Sequence, residues 1–212
     1  MKQTILTIIA KVKPDRVAEL KQMLHDMREP NVERNLLIPF LDLKRLHFAS
    51  LVVHEDPAYG AYLVFENNFD GDLDPYLEDL YSHAAGGLHS LYSCCLDYPA
   101  PNASDKSALL SYLTARIVYP NAYHIGNVGR TLQRTHQEAA LRDSLENFLD
   151  DVVKQGNIGS PGSIRQRVQT FARSQPQLAW ALSVSPRQTL MEQLLPRLEI
   201  VFVAVIALVL LP

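Results

Sequence analysis

Two apolar runs joined by a short polar turn limit the possible folds of this chain most strongly. The runs are residues 46–54 (LHFASLVVH) and 61–66 (AYLVFE), and both are rich in the β-branched and aromatic residues that favour strands. The segment between them, residues 55–60, contains Asp, Pro and Gly, which favour turns. The sequence therefore predicts a β-hairpin, that is, two neighbouring antiparallel strands.

Regular strand and helix patterns flank this hairpin. Residues 3–12 are rich in Ile and Thr and predict a strand, after which Pro14 and Asp15 begin a helix. Beyond the hairpin, Asp74 is the predicted N-cap of a long helix that has Pro75 at its first position. The apolar stripe expected to face the core of that helix consists of Leu77, Leu80, Tyr81, Ala84, Leu88, Leu91, Tyr92 and Cys95.

The remaining pattern completes an α+β order. A short helix over residues 107–114 leads to a fourth strand over residues 116–125, and a second long helix over residues 131–153 is ended by Gly156. The side chains expected to face inward from the second long helix are Leu132, Ala139, Leu145, Phe148, Leu149 and Val152. The order β, α, β, β, α, β with an added C-terminal helix predicts a ferredoxin-like domain, in which helices cover one face of a four-stranded antiparallel sheet.

Composition divides the chain into three predicted parts. Residues 1–155 are the ferredoxin-like domain, and residues 156–198 are a linker (GNIGSPG) followed by an amphipathic segment that either lies at a membrane surface or packs on the domain. Residues 199–212 are the predicted start of a transmembrane helix, because 200–211 are all apolar. A span needs about 20 residues, so we expect the chain to be a fragment. The alternative is a buried C-terminal helix or strand.

Charge and cysteine usage indicate partners and compartment. The formal net charge is −3 and the pI about 6.1, which argues against nucleic acid as a partner. Residues 157–212 carry five Arg and two Glu, and a positive segment beside an apolar span stays on the cytoplasmic side. Cys94 and Cys95 are adjacent and predict free thiols in a reducing compartment. We therefore expect the domain to lie on the cytoplasmic side of a membrane.

A glycine-rich turn between the predicted fourth strand and the following helix is the candidate ligand-binding site. Gly126 and Gly129 allow the turn to aim backbone N–H groups at an anion, Arg130 adds positive charge, and Thr131 is placed to cap the helix. The alternative is structural: the glycines simply permit the turn, and Arg130 pairs with an acidic side chain. The spacing is neither a Walker loop nor a dinucleotide-binding motif.

Two histidines are weak candidates for catalysis. His47 lies on a predicted strand beside Phe48 and would act as a general base if it were buried and oriented by an acceptor. His124 precedes the glycine-rich turn and would line the same pocket as Arg130. For each, the alternative is a structural role, in which the histidine occupies a strand position and takes no part in catalysis. Asp79, His83, His89 and the cysteines are poorly spaced for a metal, so no metal site is predicted.

Several segments resemble one known family. Leu46-His47-Phe48-Ala49, residues 65–71 (FENNFDG), Tyr98-Pro99 and residues 126–142 are similar to uncharacterised bacterial membrane proteins that carry a ferredoxin-like domain of the dimeric α+β-barrel type. The resemblance covers about residues 40–150. It implies a second, similar domain beyond the hydrophobic spans, and it implies no known chemistry. Pairing with a like domain is expected on other grounds: helices cover one face of such a sheet, and the apolar residues on its other face, at alternate positions in 46–54 and 61–65, need a cover.

A weaker resemblance concerns the dye-decolourising peroxidases, which use paired ferredoxin-like domains and a GxxDG loop near haem. The opening glycine of that motif is Asn67 in this sequence, within Asn67-Asn68-Phe69-Asp70-Gly71. The sequence therefore predicts a membrane-tethered module for small-ligand binding or domain pairing, with a haem-dependent or other small-molecule oxidoreductase as the alternative. A purely structural scaffold is a third possibility.

Overall fold

A computed structural model describes residues 2–28, 31–99, 106–156 and 159–182 of the chain. Its internal contacts divide after Gln133, and the two units are described in turn. The first unit contains an antiparallel sheet of three strands, β1 (Gln3–Lys11), β2 (Leu46–Asp56) and β3 (Gly60–Asp70). The strands lie in the order β1-β3-β2, so β3 is central. Both strands of the hairpin, β2 and β3, therefore belong to this sheet. With the helices described below, the fold is mixed α/β.

The predicted hairpin is confirmed. β2 and β3 pair from Leu46 opposite Phe69 to Asp56 opposite Gly60. The Asp56 carboxylate accepts hydrogen bonds from the backbone N–H groups of Ala58 (2.8 Å) and Tyr59 (2.9 Å), which closes the turn. Both strands are longer than predicted, because the ladder continues through the polar residues at their ends.

Three helices follow the strands of the first unit. They are α1 (Val17–Arg28), which a single 3₁₀ turn at Pro14–Arg16 precedes, α2 (Leu73–Ser93) and α3 (Lys106–Thr114). The connection from α1 to β2 contains two short 3₁₀ helices, Val32–Arg34 and Phe40–Asp42. α2 begins one residue before the predicted N-cap Asp74, because Asp72 takes the N-cap position.

The core lies between the sheet and these helices. Alternate residues of β1 and β3 point into it, among them Leu6, Ile8, Leu63 and Phe65, all essentially inaccessible to solvent. The predicted stripe of α2 is buried, except that Tyr81 is only partly buried. Each large apolar side chain removed from water in this way contributes about 1.5–3 kcal/mol to stability.

The predicted fourth strand over residues 116–125 is wrong. Only Ile117 makes a bridge, to Ile8 on the free edge of β1. Two hydrogen bonds flank it, from Ile9 N to Arg116 O (3.1 Å) and from Val118 N to Thr7 O (2.8 Å). The ladder then stops, because Pro120 has no N–H to donate and restricts the residue before it.

The second unit is helical where the structure describes it. α4 (Leu132–Lys154) confirms the predicted second long helix, and Gly156 follows it with a φ of 69°. α5 (Pro161–Ser174) begins at its N-cap Ser160, and a 3₁₀ helix, Pro176–Leu182, ends the described part. Phe148 of α4 stacks on Phe171 of α5 with ring centroids 4.4 Å apart.

The inward face predicted for α4 is confirmed only in part. Val152 is fully buried, but Leu132, Leu145, Phe148 and Leu149 are only partly buried. Ala139, the sixth residue of that set, is exposed. Charged side chains occupy so much of this helix that its apolar stripe is narrow.

Among the described residues no helix is both long and apolar enough to cross a membrane. The predicted transmembrane start, residues 199–212, lies outside the described residues, as do residues 183–198 of the predicted amphipathic segment.

Candidate functional site

The open face of the sheet is the face turned away from α1 and α2. The strand register aligns its side chains in rows across the sheet. In the order β1, β3, β2, the rows are Ile5–Asn68–Phe48, Thr7–Glu66–Ser50, Ile9–Val64–Val52 and Lys11–Tyr62–His54. The row Ile9–Val64–Val52 is wholly apolar, and the row Ile5–Asn68–Phe48 has an aromatic residue at its β2 end.

Apolar side chains on the open face are accessible to solvent. Phe48 is 76% exposed, Val52 50% and Ile9 36%. A shallow pocket of about 180 Å³ lies beside Phe48, with Ile5, Ser50 and Glu66 also lining it. Apolar residues clustered on one sheet face normally have a cover, so this face is a candidate interaction surface.

His47 lies at one end of the open face and has a buried acidic neighbour. A β-bulge between Leu46 and Phe48 leaves His47 outside the regular ladder. Its Nε2 atom lies 2.9 Å from Oδ1 of Asp70, and the two side chains are only 11% and 8% exposed. Neither atom has a partner in hydrogen-bonding geometry, so the contact is electrostatic. His47 is thus largely shielded from solvent beside a carboxylate, and its role as a general base stays a prediction.

Asp70 also binds the backbone of Leu132, the first residue of α4. Its Oδ2 atom accepts a hydrogen bond of 2.7 Å from the backbone N–H of Leu132. A carboxylate is favourable at a helix N-terminus because the free N–H groups and the helix dipole are positive there. The N-cap of α2 is Asp72, so the carboxylate of Asp70 is available to Leu132.

The glycine-rich turn packs beside this carboxylate. Arg130 N donates to Asn127 O (3.2 Å), Gly129 has a φ of 80°, and Gln3 Nε2 donates to Arg130 O (3.0 Å). The predicted ligand-binding residues Gly126, Gly129, Arg130 and Thr131 therefore lie together just before α4. The Leu132 N–H that follows them already binds the protein's own anion, Asp70. Binding of an external anion there stays a prediction.

His124 is not placed as His47 is. It is exposed, in a segment without regular structure, so it lacks the burial that the hypothesis of a general base requires. Its neighbour Tyr123 does reach the sheet, where its hydroxyl contacts Nδ2 of Asn68.

The remaining polar groups singled out in the sequence have structural partners. His83 lies 3.4 Å from Asp79 one turn earlier in α2, and His89 contacts the Tyr98 hydroxyl. Within the described residues no three potential ligands gather around a metal position. Cys94 and Cys95 are free and buried, and burial raises the pKa of Cys95 to about 12, which keeps it a protonated thiol near neutral pH.

The residues near the open face do not fit a haem group. Asn67, which replaces the motif's first glycine, is buried on the helix side, where its Oδ1 accepts a hydrogen bond of 2.8 Å from Tyr76. Both oxygens of Asp70 face His47 and Leu132. The open-face pocket of about 180 Å³ is smaller than the roughly 300 Å³ at which small-molecule sites begin.

Two features of these sites were missed in the sequence. Asp70 was not recognised as the partner of His47, and nothing in their spacing indicates it. A cleft of about 370 Å³ between α1 and β2 was also missed, although its basic residues Lys21, His25 and Arg28 recur at helical spacing.

Comparisons of the chain with protein-family models, with curated proteins and with solved structures find no match.

Proposed function

We propose that this chain is a domain-pairing module of ferredoxin-like fold, in which the open faces of two copies cover each other. The fold assignment is supported by the strand order and by the bridge of Ile117 at the free edge of β1, where a fourth strand of that fold would lie. The observation that carries the pairing is the exposure of Phe48 and Val52 on the open face. Two identical apolar faces are self-complementary, as a two-fold dimer requires.

The row pattern supports a face-to-face arrangement. The apolar row Ile9–Val64–Val52 runs across all three strands, and Phe48 is a second exposed apolar side chain two rows away on β2, beyond Ser50. Rows that contain Glu66 and Lys11 lie on either side of this apolar row, so charged groups flank it. Protein interfaces commonly have such an apolar core and polar rim.

The test is the mass of the whole 212-residue chain in a mild detergent, measured by light scattering with correction for bound detergent. We expect a dimer that Phe48→Asp converts to a monomer. Leu36→Asp is the matched control, because Leu36 is 98% exposed but lies in the connection before β2. A monomeric wild-type chain at micromolar concentration, or a dimer insensitive to Phe48→Asp, would refute the proposal.

The same sample distinguishes the alternative function. An absorbance spectrum with a Soret band would favour a haem-dependent oxidoreductase in spite of the poor fit of the residues. A colourless sample that shifts its melting temperature with inorganic phosphate, and does so less after Arg130→Gln, would favour small-anion binding at the glycine-rich turn.

We further propose that the module is tethered to a membrane, with the domain on the cytoplasmic side. The support is in the sequence: residues 200–211 are all apolar, and the segment before them has an excess of arginine. Removal of residues 199–212 is expected to shift the protein from the membrane fraction to the soluble fraction of cells. Equal distribution of both forms would contradict the tether.

A further inference from the structure

The α1–β2 cleft is lined by Lys21, Leu24, His25, Met27, Arg28, Val32, Phe40, Ala49, Leu51, Val52 and Val53. It lies at the outer edge of the sheet, and its volume of about 370 Å³ is within the range of small-molecule sites, roughly 300–1,000 Å³. Phe48 and Ile9 are not among its lining residues. Of the residues in the open-face rows, Val52 also lines the cleft, and the other members of those rows do not.

The interior of the cleft is apolar. Met27 forms a buried part of the wall, and Leu24, Phe40 and Leu51 are only partly covered by the protein. An apolar ligand would remove these partly exposed surfaces from water, which is favourable roughly in proportion to the area buried.

The rim of the cleft is basic. Lys21, His25 and Arg28 are four and three residues apart on α1, so they lie along the same side of the helix. None of the described residues that line the cleft is acidic. Lys21 is ion-paired with Glu55, whereas neither His25 nor Arg28 forms an ion pair with any described residue. The positive charge at the end of the cleft near Arg28 is therefore available to an anion.

We propose that this cleft binds a medium-chain carboxylic acid, with its alkyl chain against Leu24, Phe40 and Leu51 and its carboxylate at His25 and Arg28. An apolar interior with a basic rim matches a ligand that has an apolar body and one negative end. At roughly 30 Å³ for each non-hydrogen atom, the volume of one water in the liquid, the cleft holds about twelve such atoms, the number in decanoate. A ligand with a cationic end would meet the like charge of Arg28.

The experiment is a calorimetric titration of the whole chain, held in phosphatidylcholine nanodiscs, with decanoate. Empty nanodiscs give the background for partition into lipid. We expect saturable binding of one decanoate per chain, and binding of 1-decanol, which has the same chain without the charge, at least about fivefold weaker. That factor is at the upper end of the range for one exposed ion pair, and decanol would lose its contact with both His25 and Arg28.

Two variants test the two parts of the cleft. Arg28→Gln is expected to weaken decanoate binding about fivefold and leave decanol unchanged, and Val32→Trp, at a partly exposed lining position, is expected to abolish binding of both. Lys44→Gln is the control, because Lys44 is exposed and does not line the cleft.

The proposal is overturned if the wild-type chain shows no saturable binding, if decanoate and decanol bind equally, or if Arg28→Gln and Lys44→Gln behave alike. Phe48→Asp separates this proposal from domain pairing. It is expected to break the dimer and leave decanoate binding unchanged, so either proposal can fail without the other.

Discussion

Gly86 and Gly87 are neighbours in α2, and the same substitution at the two positions is expected to have opposite effects. A Cβ atom at Gly86 would have no heavy atom within 4 Å, whereas one at Gly87 would lie 1.8 Å from the backbone oxygen of Leu37. The Leu37 Cα and carbonyl carbon would also be within 2.5 Å of it. Helix α2 thus packs directly on the backbone of the connection before β2, and only glycine permits this approach.

The backbone at Leu37 has little freedom to move away. Asn35 Oδ1 accepts hydrogen bonds from the N–H groups of Leu37 (2.9 Å) and Ile38 (2.7 Å), and the Ile38 side chain is fully buried. Moving this segment would break those bonds or expose Ile38. Overpacking of this kind costs about 1–3 kcal/mol, and the lost contacts add to it.

The magnitudes follow from these environments. Gly86→Ala replaces an exposed helical glycine and should raise the free energy of unfolding by about 0.5–1 kcal/mol. Gly87→Ala gains the same helix propensity but should lower the free energy of unfolding by about 2 kcal/mol net, because the displaced backbone costs more. Urea unfolding followed by circular dichroism measures both changes. A Gly87→Ala variant as stable as the wild type would refute the close approach.

Three further predictions concern buried polar groups. Asp70→Asn removes the charge that faces His47 and Leu132 and should lower the free energy of unfolding by about 1–3 kcal/mol. The same urea assay measures this change, and an unchanged free energy of unfolding would contradict the role of Asp70. Cys94 and Cys95 should react with a thiol reagent at pH 8 only after unfolding, because burial raises the pKa of both, and rapid reaction of the native chain would contradict this. Burial raises the pKa of Tyr98 to about 12, so the folded state keeps a proton that the unfolded state loses near pH 10. Stability should therefore fall as the pH rises from 10 to 12, and it should fall less steeply in Tyr98→Phe.

Local patterns explain which elements could be predicted. The hairpin and α2 follow from residues close together in the sequence, a turn between two apolar runs and an apolar stripe of helical spacing, and both formed as expected. The fourth strand depended on pairing with the distant β1, and its apolar pattern outweighed Pro120, the residue in the sequence that indicates the end of the ladder at Val118. Periodicity alone does not distinguish a strand from an extended segment that pairs once.

The site was harder to predict because its contacts are long-range. Asp70 and Leu132 are 62 residues apart, and the contact between His47 and Asp70 depends on a bulge that no residue pattern in β2 indicates. Likewise, Gly86 and Gly87 are two adjacent glycines that the sequence alone does not distinguish. Only the packed structure shows that Gly86 is exposed and that Gly87 lies against the backbone of Leu37.

The bulge at His47 also determines how this strand tolerates changes of length. Deleting a residue such as Ser50 would turn every side chain on one side of the deletion to the opposite face of the sheet, because side chains alternate along a strand. Deleting His47 would instead restore a regular ladder, with Leu46 still opposite Phe69 and Phe48 still opposite Asn68. His47, the residue that contacts Asp70, can thus be deleted without turning the other side chains of β2 to the opposite face of the sheet.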